Sequence, residues 1–353
     1  MRAVAVHEDE DRPRVIRIPK PEPAPGEVLV KILRVGIDGT DHHVIEGRHG
    51  EFPEDASTFV LGHEAVGVVA DANGTDFAVG DVVVPTVRRP VGASNEYAER
   101  NELDMAPADA YVECGISGAQ GFMAEYVTTP AEYLVPIPRS IAEYAFLVEP
   151  ISNAEKAIDH AFASRSAFEW TPECATVLGN GPLGLLTLAV LERRFQRTYC
   201  VGRRDRPDPT IDVIERLGAT YVDSRETAVS DLADEYEPMD LVYEATGYAK
   251  HAFETVNALA PNGVGALLGI PEAWTFDVDG GRLHRDLVME NKALIGSVNS
   301  SVPHFEAAIE SLDSFPEWLP EALITGVYSP TSVEEAFDGD RDDIKVVVEF
   351  GSL

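Results

Sequence analysis

The sequence predicts an α/β protein in two parts. A β-rich domain is formed by residues 1–150 with 296–353, and a doubly wound parallel-sheet domain covers residues 151–295. Three observations carry this. Up to residue 150, short runs of Val, Leu and Ile are broken by Gly, Pro and Asp, and long helical periods are few. From residue 174, strands alternate with helical patterns, the arrangement of a parallel sheet covered on both faces. After residue 296 too few elements remain for a third domain, so the C-terminus is expected to return to the first.

In chain order, Glu27–Val35, Ala65–Ala70 and Asp81–Val84 read as strands, with turns at Pro25-Gly26 and Asn73-Gly74. Residues 175–184, ATVLGNGPLG, give a strand and a turn, followed by a helical run Leu185–Arg194. A strand Thr198–Gly202, a helix Pro209–Leu217 and strands Ala219–Asp223 and Asp240–Gly247 come next. Residues 258–270 supply a turn at Asn262-Gly263 and another strand; helix Glu306–Leu312 and strand Ile344–Phe350 close the chain.

Composition narrows the function classes. With 61 acidic and 28 basic residues the formal net charge is −33, so a broad face for nucleic acid or anionic lipid is excluded by repulsion. Apolar residues at 44% suffice for a large core. Only six of the basic residues are lysine and 22 are arginine. Acid excess with scarce lysine suits a cytoplasm near molar salt, where a Debye length of about 3 Å leaves dense surface carboxylates little mutual repulsion. Cys114, Cys174 and Cys200 lie far apart without a C-x-x-C pair, which argues against a disulfide framework and a local cysteine zinc knot. The first residues hold no apolar stretch of a secretory signal, and the longest apolar run, Ala175–Leu191, is interrupted by Asn180, Gly181 and Pro182. A cytoplasmic protein with no membrane or nucleic-acid partner is expected.

Gly179-Asn180-Gly181-Pro182-Leu183-Gly184 is a G-x-G-x-x-G that follows a strand and opens a helix. Such glycines allow a tight turn and bring backbone N–H groups to a pyrophosphate at the helix N-terminus. About twenty residues on, where an NAD site places an acid, the chain has Arg203 and Arg204, with Arg206 close by. Guanidinium groups suit a ribose 2′-phosphate through fork-shaped, charge-assisted hydrogen bonds, so NADP is expected over NAD.

Gly36-Ile37-Asp38-Gly39-Thr40-Asp41-His42-His43 and Gly62-His63-Glu64-Ala65-Val66-Gly67 precede that turn. With Glu244-Ala245-Thr246-Gly247 and Asn262-Gly263, they resemble the zinc-containing medium-chain dehydrogenase family over nearly the whole chain. The family motifs read G-x-C-G-T-D-x-H and G-H-E-x-x-G. The resemblance implies a GroES-like catalytic domain, a Rossmann nucleotide domain, and a catalytic zinc held by Asp38, His63 and Glu149, with Glu64 as a replacement or exchanging ligand. Asp38 stands where most of the family has cysteine; zinc accepts carboxylate oxygen as well as thiolate. The four cysteines of the family's structural zinc lobe are absent from residues 88–114. Thr40 and His43 fall where the family carries a hydroxyl relay and a histidine near solvent, while His42 reads as a turn residue. The cofactor set implied by the resemblance extends to Leu268, Gly269, Ile270, Ser297, Val298 and Asn299.

Within that family the aspartate, the missing lobe, the GNGPLG turn and the GRRDRPDP segment are most similar to archaeal glucose 1-dehydrogenases of the halophilic branch. The implied reaction oxidises β-D-glucose at C1 to gluconolactone, with hydride passing to NADP. Glu113, Glu149, Asn153 and Asn299 are the implied partners of the sugar hydroxyls, with Thr40 at the reacting one. A dimer or tetramer is implied as well. The residues leave open a polyol or secondary-alcohol dehydrogenase of the same chemistry, and a metal-free NADPH-binding protein of the quinone-reductase type; retention of His63, Glu64 and Glu149 speaks against the latter. The composition predicts that thermal melts in molar KCl will give a higher Tm than melts in low salt. Greater stability in low salt would overturn the high-salt reading.

Overall fold

A computed structural model describes residues 1–352 and divides the chain into two compact units. One comprises residues 1–152 with the segment from Asn299 onward, the other Asn153–Val298. The boundary falls inside the helix Val148–Ala163, which the sequence reading did not anticipate.

The first unit is framed by a seven-stranded sheet. Its order is Leu134–Pro136, Val82–Pro85, Glu64–Asp71, Glu27–Ile37, Lys345–Glu349 and Ile324–Tyr328, and Tyr126–Pro130 also pairs with Glu27–Ile37. The C-terminal strand therefore lies beside the long central strand, with Gly36 opposite both Glu64 and Val347. Val28, Val30, Ile32 and Val35 of the central strand are buried with Leu61, Val83, Met123 and Val348. Asn73 and Gly74 take φ of +47° and +78°, two left-handed residues in a tight turn closed by Thr75 N–H to the Ala72 carbonyl at 2.9 Å. Arg88–Pro90, Tyr111–Cys114 and Gly118–Ala119 form a small sheet in the region that lacks the cysteine lobe. His42 is not a turn residue: it lies on the helix Gly39–Ile45 and packs edge-on against Phe337 at 5.3 Å.

The second unit is built on six parallel strands whose spatial order, numbered by appearance, is 3-2-1-4-5-6. They are Cys174–Leu178, Arg197–Gly202, Thr220–Asp223, Met239–Glu244, Leu259–Leu267 and Ala293–Gly296. The first strand is buried at every position, as expected of a strand covered on both faces. Helix Pro209–Leu217 has the bounds its sequence announces: Asp208 caps its N-terminus through the Thr210 N–H at 2.9 Å, and Gly218 ends it at φ +105°. Asn262-Gly263 is not a turn between elements. Met239 pairs with Leu259 and Leu241 with Val264, so residues 260–263 loop out of a continuous strand, with Asn262 at φ +66°. The cysteines are all buried and free. Among the described residues no helix is long and apolar enough to cross a membrane.

Candidate metal group and cofactor-binding turn

Asp38 is the N-cap of the helix Gly39–Ile45, and its two oxygens divide the work. Oδ1 accepts from the N–H groups of Thr40 at 2.8 Å and Asp41 at 3.2 Å, while Oδ2 faces His63 Nε2 at 3.6 Å. Asp41 completes the capping box by accepting from the Asp38 N–H at 3.0 Å. Its other oxygen accepts from the Gly62 N–H at 3.1 Å and so ties the helix to the segment that presents His63. Glu64, the next residue, is ion-paired with Lys345, and both are about 1% exposed. The pair sits where Gly36 has no side chain: a Cβ there would lie 2.1 Å from Glu64 Oε2 and 2.9 Å from Lys345 Cε. Ligand atoms of Asp38, His63 and Glu64 all lie within 4.8 Å of one another.

The group is acidic for its burial. Burial opposes ionisation of Asp38, but the facing His63 and, after it, Lys345 outweigh this and hold the carboxyl well below the usual range. Burial, with the charges of Asp38 and Glu64 nearby, pushes Asp41 up to about 7 against the pull of His63. Burial raises Glu64 too, partly offset by Lys345. His63 is driven well above its ordinary value because Asp38, Asp41 and Glu149 outweigh its desolvation.

These residues fit a divalent zinc. The His63 Nε2 to Asp38 Oδ2 distance is too long for a hydrogen bond, and Nδ1 of the buried ring has no hydrogen-bond partner. Two atoms each about 2.0–2.1 Å from one tetrahedral ion lie about 3.3 Å apart, close to the observed spacing. A cation also supplies the positive charge that clustered carboxylates favour.

The other expected residues are placed as follows. Thr40 Oγ1 donates to Asp38 Oδ2 at 3.2 Å, and His43 follows on the same helix, partly exposed. Glu149, 4% exposed in the first turn of Val148–Ala163, acts on His63 by its charge but stands outside the ligand-distance group. Asn153 follows one turn later on that helix. Glu113 and Asn299 meet directly, Asn299 Nδ2 donating to Glu113 Oε1 at 3.2 Å. The sequence reading missed the positioning roles of Asp41 and Lys345. The available signal for Lys345 was a lysine, one of only six, inside the apolar run of the last strand.

In the second unit, Gly179 turns at φ +113° directly after the first strand. Gly184 lies against that turn: a Cβ on it would stand 1.9 Å from the Gly179 carbonyl oxygen. Gly181 caps the helix Pro182–Glu192, with open space where its side chain would be. Asn180 Nδ2 donates to Thr210 Oγ1 at 2.6 Å, and Leu183 follows Pro182 in the first turn of the helix. Arg203 is exposed at the end of the second strand. The Arg204 backbone exchanges hydrogen bonds with the Tyr221 hydroxyl at 2.8 and 2.9 Å, and its guanidinium faces buried Asp208 at 3.8 Å. Arg206 pairs with Glu215, and Arg225, which the sequence reading passed over, binds Asp205 at 2.7 Å and also Asp223. Leu268 and Gly269 donate their N–H groups to the Glu244 carbonyl at 2.9 and 3.1 Å, and Ser297 donates to that of Leu267 at 3.0 Å. Ile270 and Val298 are 58% and 49% exposed at these strand ends. Thus the expected cofactor residues of this unit gather at the carboxyl ends of the strands, where open α/β sheets bind ligands. Asn299 belongs to the first unit.

Comparison with known proteins gives the family. Residues 24–139 match the alcohol dehydrogenase GroES-like domain, and residues 142–350 match the glucose dehydrogenase C-terminus. Glucose 1-dehydrogenase of Haloarcula marismortui is 59% identical over 354 residues, covering 100% of both chains. Haloferax mediterranei glucose dehydrogenase, solved in complex with NADP, Zn and gluconolactone, is 59% identical with a TM-score of 0.98 over 100% of both chains. The D38C mutant of that enzyme superposes with a TM-score of 0.97 over the same extent. The chain belongs to the glucose dehydrogenase family of zinc-type medium-chain dehydrogenases.

Proposed function

We propose that this protein is a glucose 1-dehydrogenase that uses zinc and NADP, oxidising β-D-glucose at C1 to gluconolactone in a salt-rich cytoplasm. The observation that carries the reading is the convergence of Asp38, His63 and Glu64, built with an aspartate where most of the family has cysteine. Full-length identity of 59% to glucose dehydrogenases supports the substrate. The assembly proposed is a homo-oligomer, dimer or tetramer.

Asp38 and His63 would hold the zinc with Glu149, and Glu64 would exchange with it. Bound there, zinc supplies a Lewis acid that polarises the C1 hydroxyl. The hydride leaving C1 requires that the hydroxyl also lose its proton; Thr40 Oγ1, held beside Asp38 Oδ2, would accept that proton while handing on its own hydrogen, a relay rather than a base. His43, three residues along the helix and thus on the same side as Thr40, leads that proton toward solvent. Glu113, Glu149, Asn153 and Asn299 hold the remaining hydroxyls. On the cofactor, N–H groups at Gly181 and the following turn take the pyrophosphate, Arg203 and Arg204 take the 2′-phosphate, and Leu268, Gly269, Ile270, Ser297, Val298 and Asn299 border the rest.

A panel of sugars, polyols and secondary alcohols with NADP in molar KCl tests the reading directly. Glucose is expected to turn over; turnover of a polyol with none of glucose would overturn it. Asp38→Ala should lose most of its zinc and on the order of 100-fold in turnover while keeping NADP affinity, whereas Asp38→Cys should fold, bind zinc and retain activity. A full zinc complement with near-normal turnover in Asp38→Ala would remove Asp38 from the ligand set. Arg203→Ala combined with Arg204→Ala should raise the KM for NADP by about tenfold or more and hardly change that for NAD, since each charge-assisted hydrogen bond contributes about 1.5–3 kcal/mol. Equal losses for both cofactors would count against the 2′-phosphate assignment.

A further inference from the structure

The small sheet of the first unit holds a buried arginine that neither the metal group nor the cofactor turn uses. Arg88, 3% exposed, stands opposite Glu113 in the antiparallel pair Arg88–Pro90 and Tyr111–Cys114. Its Nε donates to Glu113 Oε1 at 2.9 Å. Its Nη1 donates to the carbonyls of Leu103 and Asp104 at 3.1 Å each, and the guanidinium lies 3.6 Å over the centre of the Tyr111 ring. Asn299 Nδ2 reaches the same Glu113 oxygen at 3.2 Å; its own amide oxygen accepts from the Ser300 N–H at 2.8 Å, and its backbone is held at φ +58°. Both donors therefore go to Oε1, and Oε2 receives none among the described residues. The chain that carries this carboxylate also passes close to the segment that presents His63. Gly115, two residues on, is packed so closely on Gly62 that a Cβ would come within 2.4 Å of the Gly62 carbonyl oxygen, and His63 follows Gly62.

We propose that Arg88 is a positioning residue for sugar recognition, acting through Glu113: it fixes the carboxylate so that Oε2 is presented as an acceptor for one sugar hydroxyl. The proposal rests on the glucose reading and goes beyond it by naming what sets hydroxyl orientation. An ionised carboxylate accepts and cannot donate, so a sugar must offer a hydroxyl hydrogen at that point. A deoxy sugar, or an epimer whose hydroxyl points elsewhere, leaves a largely desolvated carboxylate oxygen without a donor, and sites of this kind discriminate strongly. Lysine is no substitute for Arg88. Its ammonium is a point charge and cannot reach the carboxylate and two carbonyls in one plane while stacked on a ring.

The test compares Arg88→Lys and Arg88→Gln with wild type in molar KCl at saturating NADP. The expected result is a KM for glucose raised at least about tenfold, equivalent to one hydrogen bond lost, with kcat lowered less. Discrimination between glucose and its deoxy and epimeric analogues should narrow by a similar factor, while the KM for NADP and the zinc content stay unchanged. In a Glu113→Gln background the further effect of Arg88→Lys should shrink to less than about twofold, because the two act as a unit. Variants that shift Tm yet leave glucose KM and analogue discrimination as in wild type would overturn the proposal, as would full additivity with Glu113→Gln. Should Arg88→Lys fail to fold, Tyr111→Leu, which removes the ring beneath the guanidinium and keeps its charge, is read by the same criteria. Wild type that turns over no sugar overturns the glucose reading and this proposal with it; wild type active on glucose with indifferent variants overturns the role of Arg88 alone.

Discussion

Buried negative charge is the constraint from which the catalytic end of this molecule follows. Asp38, Asp41 and Glu149 all act on His63, and the charge of the same imidazole acts on Glu64, with Lys345 as the ammonium among them. Carboxylates removed from water require positive partners or they neutralise. Each local feature answers that demand. Gly36 leaves the volume in which Glu64 and Lys345 meet, and the C-terminal strand has to lie beside the central one to deliver Lys345 at all. Asp41, the most deeply buried of the acids, takes two backbone N–H groups and is the one whose affinity for a proton rises to about 7. What remains is a carboxylate oxygen, an imidazole and a glutamate turned toward one another at ligand spacing, which a divalent cation completes.

The cofactor end is governed by the opposite situation, positive charge at an exposed strand end in a chain of net charge −33. Arg204, Arg206 and Arg225 each face a carboxylate of the same turn region, and the charge of exposed Arg203 acts on Asp223. In concentrated salt the long-range field of such a cluster is screened within about 3 Å. Discrimination for a 2′-phosphate then has to come from direct fork-shaped contacts, for which arginine is built and lysine is not. The same logic separates the two basic residue types across the molecule. Lys156 and Lys345 are each about 1% exposed and Lys292 has a side chain 6% exposed, so half of the six lysines are internal, and most surface ion pairs fall to arginine.

Much of the fold was legible because its periodicities are local. The alternation of strand and helix after residue 174 reports five of the six parallel strands, Ala293–Gly296 being too short to stand out, and Asp208 and Gly218 mark the ends of one helix to the residue. The helix Gly39–Ile45 escaped because seven residues hold too few apolar positions to show a period, and Asn262-Gly263 misled because the residues of a bulge and of a turn are alike. Within the site, Asp38, His63 and Glu64 could be named from two short motifs and a family likeness. Lys345, Arg88 and Asp41 could not, since their roles depend on pairings hundreds or tens of residues apart that only the sheet topology creates. The meeting of Glu113 with Asn299, 186 residues apart, is of the same kind.

Aspartate at position 38 acquires a physical rationale from the helix it begins. A thiolate offers one atom, so a cysteine that binds metal there gives up the helix cap. The carboxylate offers two: Oδ1 holds the Thr40 and Asp41 N–H groups while Oδ2 remains directed at His63. An N-cap of this type contributes about 1 kcal/mol, and here it also fixes the direction of the second oxygen, since rotating the carboxylate away from that direction would break the cap. The oxygen donor is harder and holds zinc less tightly than sulfur, so capping offsets in ligand orientation part of what is lost in metal affinity. Thr40, whose N–H is capped by Oδ1 and whose hydroxyl donates to Oδ2, is placed by the same carboxylate. One side chain thus sets the start of the helix, one face of the metal group and the position of the hydroxyl assigned to proton transfer.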